Sequence, residues 1–297
     1  MRTRYIQRGA EVSEFSQIPI WRRANKKDLI QIGFGLFVVF FVLSSYITAV
    51  LHLLPYDPLK INLKEMMQSP DYRHILGTDF MGRDILSRII VGSQAYFMPG
   101  LLSIIIALFF GIMAGLVSGY NGGMTDSIIS YILDLIDSIP KMVIILLAIA
   151  FFRPGIYFIM LIVGITNIPT VASLIKSKVI FLKKRNFIEA GKALGLKTRD
   201  IIFKHILWYN CKAIVIIQAT LGMAEVILIE TSLSYLGFGV QEPEPSWGNM
   251  VAAGKDYFFM GDFFLSTAPA AAILISILGF YLLGDGLNNL LEWRRKR

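Results

Sequence analysis

Residues 89–125 read IIVGSQAYFMPGLLSIIIALFFGIMAGLVSGYNGGMT and contain no Lys, Arg, Asp or Glu. A helix rises ~1.5 Å per residue, so ~20 apolar residues cross the hydrocarbon core of a bilayer. The stretch therefore predicts a membrane span over residues 94–119, ended by the tight turn Tyr120-Asn-Gly-Gly123. The pattern recurs: charged residues are absent between Asp28 and Asp57, between Arg153 and Lys176, and between Asp262 and Asp285. The chain of 297 residues is 55% hydrophobic and 17% charged, whereas soluble domains run near ~45–50% and ~25%. That imbalance argues against an ordinary soluble domain.

Working outward, the charge-poor stretches predict an all-α polytopic membrane protein with six transmembrane helices, over residues 29–54, 94–119, 126–152, 156–175, 213–236 and 263–283. The first is too long for a cleavable signal and lacks its small-residue exit, so it reads as an uncleaved span. Pro55, Asp57 and Pro58 end it, and Arg153-Pro-Gly155 closes the third span. Residues 1–92 read as an N-terminal addition to a five-helix core at 93–297.

Lys and Arg concentrate on the cytoplasmic side of membrane proteins. The N-terminal segment carries Arg2, Arg4, Arg8, Arg22, Arg23, Lys26 and Lys27. Ten more lie in residues 176–212, and the tail ends in Arg294, Arg295, Lys296 and Arg297. With six spans these three segments share one side and hold 21 of the 29 basic residues. Both termini are therefore expected in the cytoplasm. The same distribution assigns the net charge of +8 to membrane orientation rather than to nucleic acid.

The sequence offers no enzyme chemistry. The single cysteine, Cys211, rules out an intramolecular disulfide, and His52, His74 and His205 lack metal-ligand spacing. There is no glycine-rich phosphate loop with a following Lys-Ser/Thr, and no His-Glu-x-x-His or Gly-x-Ser-x-Gly motif. No catalytic residue, metal site or ATP site is expected on this chain.

The loop between the fourth and fifth spans has structure of its own. Asn186 is placed to cap a helix over residues 187–194, with Glu189 as the reciprocal capping-box residue and Gly195 as its C-terminal stop. Ala190, Ala193 and Leu194 share one face, open to close approach by another surface. A second helix starts at Thr198, with Ile201, Ile202 and His205 on one side. By spacing alone, the segment could equally lie on lipid as an interfacial helix.

The residues Glu189-Ala190-Gly191, then Gly195, then His205-Ile-Leu207 resemble the cytoplasmic loop of permease subunits of binding-protein-dependent ABC importers. That loop runs Glu-Ala-Ala, three residues, Gly, nine residues, Ile-x-Leu-Pro. Here Gly191 replaces the second Ala, His205 stands at the Ile position, as is usual in the peptide branch, and Trp208 replaces the Pro. Residues 76–88, LGTDFMGRDILSR, and 233–249, with LSYLGFG, Pro243, Pro245 and SWGN, are similar to two outward loops of the dipeptide, oligopeptide and nickel importers. Both point to the second, or C-type, permease of the pair. The resemblance runs from about residue 74 to the C-terminus.

The resemblance implies a set of roles. Asn186, Glu189, Ala190, Gly191, Ala193, Leu194 and Gly195 would form a coupling helix seated in a cleft of an ATP-hydrolysing subunit. Thr78, Asp79, Gly82, Arg83, Asp84, Pro243, Pro245 and Trp247 would lie in loops that receive a soluble binding protein, the alternative being that these loops only cap the bundle. The implied partners are a second permease subunit, two nucleotide-binding subunits that bind ATP and Mg, the binding protein and membrane lipid. The implied location is the inner (plasma) membrane of a prokaryote. The expected cargo is a short peptide, with nickel or a metal–chelator complex as the alternative.

Charges inside the spans carry the remaining signal, because each costs ~2.5–3.5 kcal/mol at mid-bilayer unless buried in protein or facing water. Asp134, Asp137 and Lys141 fall at i, i+3 and i+7, on one face of a helix, and Pro140 among them is expected to kink it. Glu225 and Glu230 lie in the fifth span. These five are candidates for the translocation path. The alternatives are an Asp137–Lys141 pair at i,i+4 and a bracing role for Glu230. A secondary transporter could use such acids for ion coupling, but should carry internal repeats, and none is visible.

Overall fold

The computed structural model describes residues 25–152 and 155–293. The basic residues Arg2, Arg4, Arg8, Arg22 and Arg23, the closing Arg153, and the tail from Arg294 to Arg297 lie outside the described residues. Among the described residues the chain is helical, with one isolated bridge between Thr78 and Asp84 and no strand. In chain order the helices are α1 (Lys26–Val50), α2 (Ile85–Gly92), α3 (Phe97–Asn121), α4 (Gly123–Asp137), α5 (Lys141–Phe152), α6 (Ile156–Lys183) and α7 (Asn186–Ala193). Three more follow: α8 (Thr198–Tyr235), α9 (Trp247–Phe258) and α10 (Phe264–Trp293).

Five of these helical stretches are long and apolar enough to cross a bilayer, and α4 with α5 forms a sixth, bent by 69°. The kink expected at Pro140 is thus a full break in the third span. Pro140 has no N–H to continue the ladder, and the break falls at Ser138-Ile-Pro140. Asp134 and Asp137 end one arm and Lys141 begins the other, so the three do not share one continuous helix face.

The packing shows that the broken pair is still a crossing. Gly111, Gly115 and Gly119 of α3 form a stripe one helical turn apart, and α6 lies directly against it. A Cβ on Gly111 would stand 2.6 Å from Val171 Cβ, one on Gly115 2.6 Å from the Ala172 carbonyl oxygen, and one on Gly119 2.9 Å from the Lys176 carbonyl oxygen. Small residues let two backbones approach in a membrane, where van der Waals contact replaces the hydrophobic drive. The matched order of the two stripes makes α3 and α6 parallel. The α4–α5 pair that joins them must then run back from the end holding Asn121 to the end holding Ile156.

Two boundaries differ from expectation. Helix α6 runs on to Lys183, where the basic loop was expected from residue 176, because Lys176 turns inward to pair with Asp126 and to donate to Ser130 Oγ at 2.9 Å. The helix expected from Thr198 exists, but it continues without interruption into the fifth span through a π-helical stretch, Ile201–Cys211. Cys211 is fully buried at the end of that stretch.

Candidate functional site: a polar path and a connecting helix

At mid-bundle, Lys141 opens α5 directly after Pro140, and its Nζ lies 2.8 Å from Glu225 Oε1 of α8. It also donates to Asn167 Oδ1 of α6. Both charged side chains are about one-third exposed. The i,i+4 pairing of Lys141 with Asp137 is not formed: the break at Pro140 turns Lys141 away along α5. A cavity of about 80 Å³ beside the pair is lined by Ser103, Asn167, Thr170 and Gln218 among others.

Asp134 and Asp137 line a second, larger cavity of about 430 Å³ with Ser118, Ser130, Ser173 and Lys176. Thr170 borders both cavities. Helix α6 thus presents Asn167, Thr170, Ser173 and Lys176 at intervals of three residues along the two spaces. The sequence reading missed this stripe. Its signal was present, as polar residues at near-helical period within an otherwise apolar span. Glu230 lines neither cavity. It is fully buried, accepts from Ser234 Oγ, and Ser234 Oγ in turn receives the Val240 amide at 3.0 Å, so it braces the end of α8 and the following loop.

The two loops at the opposite end from α7 are knitted to each other. Asp84 caps α2 by accepting from the Ser87 amide at 2.7 Å and takes His74 Nδ1 at 2.8 Å. Asp79 accepts from the Arg83 amide at 2.9 Å and from Arg83 Nε at 2.6 Å. Arg83 and Arg88 then reach across to opposite oxygens of Glu242, at 2.8 and 3.0 Å. Trp247 donates its indole N–H to the Ile89 carbonyl at 2.8 Å. Nearby, the Asp71 carboxyl accepts the His74 and Arg73 backbone amides, which hold it below the usual carboxylate range.

Seven of the eight residues named in these loops turn inward. Thr78, Asp79, Gly82, Arg83, Asp84, Pro245 and Trp247 are buried, and only Pro243 is exposed. Burying Arg83 and Arg88 is tolerable because each guanidinium is paired. Those side chains hold the loops in shape, and any surface offered to a partner there belongs to their exposed neighbours.

At the other end α7 stands out from the bundle. Ile188 is buried in the cluster formed by Leu182, Ile201 and Ile206, and anchors the helix. Glu189, Ala190, Ala193 and Leu194 are exposed, Leu194 at 83%. The capping differs from expectation. Asn186 is the first helical residue rather than the cap, Arg185 occupies the cap position, and neither the Asn186 side chain nor Glu189 closes a capping box. Gly191 is buried and faces Leu196. The C-terminal stop is as expected. Gly195 has φ +77°, the Gly195 amide reaches the Lys192 carbonyl, and the Leu196 amide reaches the Gly191 carbonyl, each at 3.0 Å. That pair of bonds is the Schellman arrangement, which needs a residue in the left-handed region.

A bundle of membrane-length helices, two cavities bordered by charged and polar side chains and an exposed helix between two spans fit an α-helical membrane transport subunit. Residues 107–297 match the family described as the binding-protein-dependent transport system inner membrane component, and the chain belongs to that family. It is 33% identical to the dipeptide transport system permease protein DppC of Alkalihalophilus pseudofirmus, over 95% of this chain and 93% of that protein. It is 31% identical to the oligopeptide transport system permease protein OppC of Bacillus subtilis, over 95% and 92%. It is also 31% identical to the glutathione transport system permease protein GsiD of Pectobacterium atrosepticum, over 93% and 90%. Membership of this family sets aside the secondary-transporter alternative.

Proposed function

We propose that this chain is one of two membrane-spanning subunits of an ATP-driven importer of short peptides, the C-type member of the pair. The observation that carries the mechanism is α7: a two-turn helix anchored by Ile188 and presenting Ala190, Ala193 and the 83%-exposed Leu194. An exposed leucine on a helix between two spans suits a complementary cleft in another protein. In this reading two nucleotide-binding subunits bind ATP and Mg, close, and push α7. The unbroken α6 and α8 on either side of it carry that motion to Asn167 and Glu225.

A soluble binding protein delivers the cargo at the end holding the Arg83–Glu242 clasp. A second permease subunit completes the path along Lys141, Glu225, Asp134 and Asp137. The termini and α7 face the cytoplasm, and the chain sits in the inner (plasma) membrane of a prokaryote. The names of the three relatives, for dipeptides, oligopeptides and glutathione, favour a peptide over nickel or a metal–chelator complex. Deleting the gene and restoring it in the native host tests this. Dipeptide uptake that depends on ATP and on this chain is expected; unchanged uptake in the deletion strain would overturn it.

A further inference from the structure

We propose that the Lys141–Glu225 pair is a specificity-determining exchange site for zwitterions: as the pair opens, Lys141 takes the free carboxylate of the ligand and Glu225 its free ammonium. The proposal rests on the transport reading above and adds the chemistry that the path selects. The pair joins α5 to α8 across the bundle, with Nζ to Oε1 at 2.8 Å, and Lys141 also donates to Asn167, which holds the lysine but makes no charge pair. Each side chain is about one-third exposed and borders a cavity, so a ligand can reach both.

The physical argument concerns what each ligand leaves behind. A charge pair in a membrane protein resists separation, because each partner alone is a poorly solvated charge. A molecule with both a free carboxylate and a free ammonium replaces one ion pair by two and leaves no charge unmatched. A ligand with only one of these groups strands either Lys141 or Glu225. A neutral molecule or a small ion strands at least one. Closed on itself, the pair blocks the path. Opened by a zwitterion, it conducts without exposing a bare charge. Lys141 is well placed for a carboxylate, since it starts α5 at Pro140, where the helix dipole favours an anion. Asn167 can then take over the role of orienting the lysine ammonium.

The test uses the assembled transporter in the membrane and three probes: alanyl-alanine, its C-terminal amide and its N-acetyl derivative. Uptake is measured at concentrations that saturate the soluble receptor with each probe, so that a changed preference between probes reports the membrane chain. Lys141→Met is expected to lower the preference for the dipeptide over its amide at least tenfold. Glu225→Gln is expected to lower the preference for the dipeptide over its N-acetyl form at least tenfold. Lys141→Arg should retain the wild-type preference. Should either neutral variant be lost from the membrane, Lys141→Met with Glu225→Gln leaves no unpaired charge, and it is expected to lose both preferences. Unchanged preferences in variants that still insert, whatever their absolute rates, would overturn this proposal alone. Absence of ATP-dependent dipeptide uptake by the wild type would overturn the transport reading with it.

Discussion

Gly115 of α3 lies so close to Ala172 of α6 that a Cβ on the glycine would stand 2.6 Å from the alanine carbonyl oxygen. The obstacle is backbone, which cannot rotate away as a side chain can. This contact sits at the centre of the parallel α3–α6 pair and fixes the wall of the larger cavity, to which Gly115 itself contributes. Gly115→Leu is therefore expected to separate the two helices and to cost at least the ~1–3 kcal/mol of an overpacked core. The check is the thermal midpoint of the detergent-purified protein, which should fall by several degrees. An unchanged midpoint would mean that the helices do not pack as described.

The Arg83–Glu242 and Arg88–Glu242 pairs tie two loops that are far apart in sequence. Glu242 is partly exposed, so water softens its loss, but the two guanidiniums it serves are buried. Glu242→Ala should therefore loosen both loops together. Amide hydrogen exchange at Gly77, Thr78 and Asn249 is expected to quicken about tenfold while exchange in α3 and α6 stays slow. Acceleration in one loop alone would show that the clasp is not shared.

Gly195 has a left-handed backbone, and no atom lies within 4 Å of where its Cβ would be. The cost of a side chain there is thus conformational rather than steric, ~1–2 kcal/mol for a β-branched residue. Gly195→Val should leave the protein inserted but displace the end of α7, abolishing uptake and weakening retention of the ATPase subunits on purification. Lys192→Ala, at an exposed position, should retain most uptake. Full uptake with normal ATPase retention in Gly195→Val would remove α7 from the mechanism.

Leu194 offers a sharper test, because it is 83% exposed and its replacement should not alter folding. Leu194→Asp is expected to keep the wild-type thermal midpoint and lose at least tenfold in ATPase-subunit affinity. A lipid-facing α7 predicts instead that the ATPase subunits bind this variant normally.

Orientation can be read from two exposed side chains at opposite ends of the bundle, Tyr72 at 85% and Leu194 at 83%. In a background with Cys211 replaced, Tyr72→Cys should react with a membrane-impermeant thiol reagent in intact cells. Leu194→Cys should react only after permeabilisation. Labelling of both in intact cells would contradict six crossings with α7 inside.

Much of the architecture was legible in the chain itself. The charge-free stretches located the crossings because the requirement for ~20 apolar residues is local and does not depend on what each helix touches. The Gly195 stop was legible for the same reason: a left-handed turn after a helix is a property of a few consecutive residues. The short motifs within α7 and on either side of it pointed to the family that residues 107–297 match.

What the chain alone left open depended on partners distant in sequence. Asp137 is four residues from Lys141 and looked like its natural partner, yet Lys141 pairs with Glu225, 84 positions away. The break at Pro140 points the lysine along a different axis, and only the packing of α5 against α6 and α8 supplies the acid. The sequence placed Thr78, Asp79, Arg83 and Trp247 in outward loops but could not show which way their side chains turn. They are interior because other parts of the chain serve them: Glu242 pairs with Arg83, which also holds Asp79, the Ile89 carbonyl accepts from Trp247, and the Glu65 carbonyl accepts from Thr78. Composition and local backbone chemistry located the crossings and the stop at Gly195, while the true ends of α6 and α8 came only from the structure. The positions of the charges within the bundle were decided by tertiary structure, because a charge in an apolar solvent goes where a partner or water can reach it.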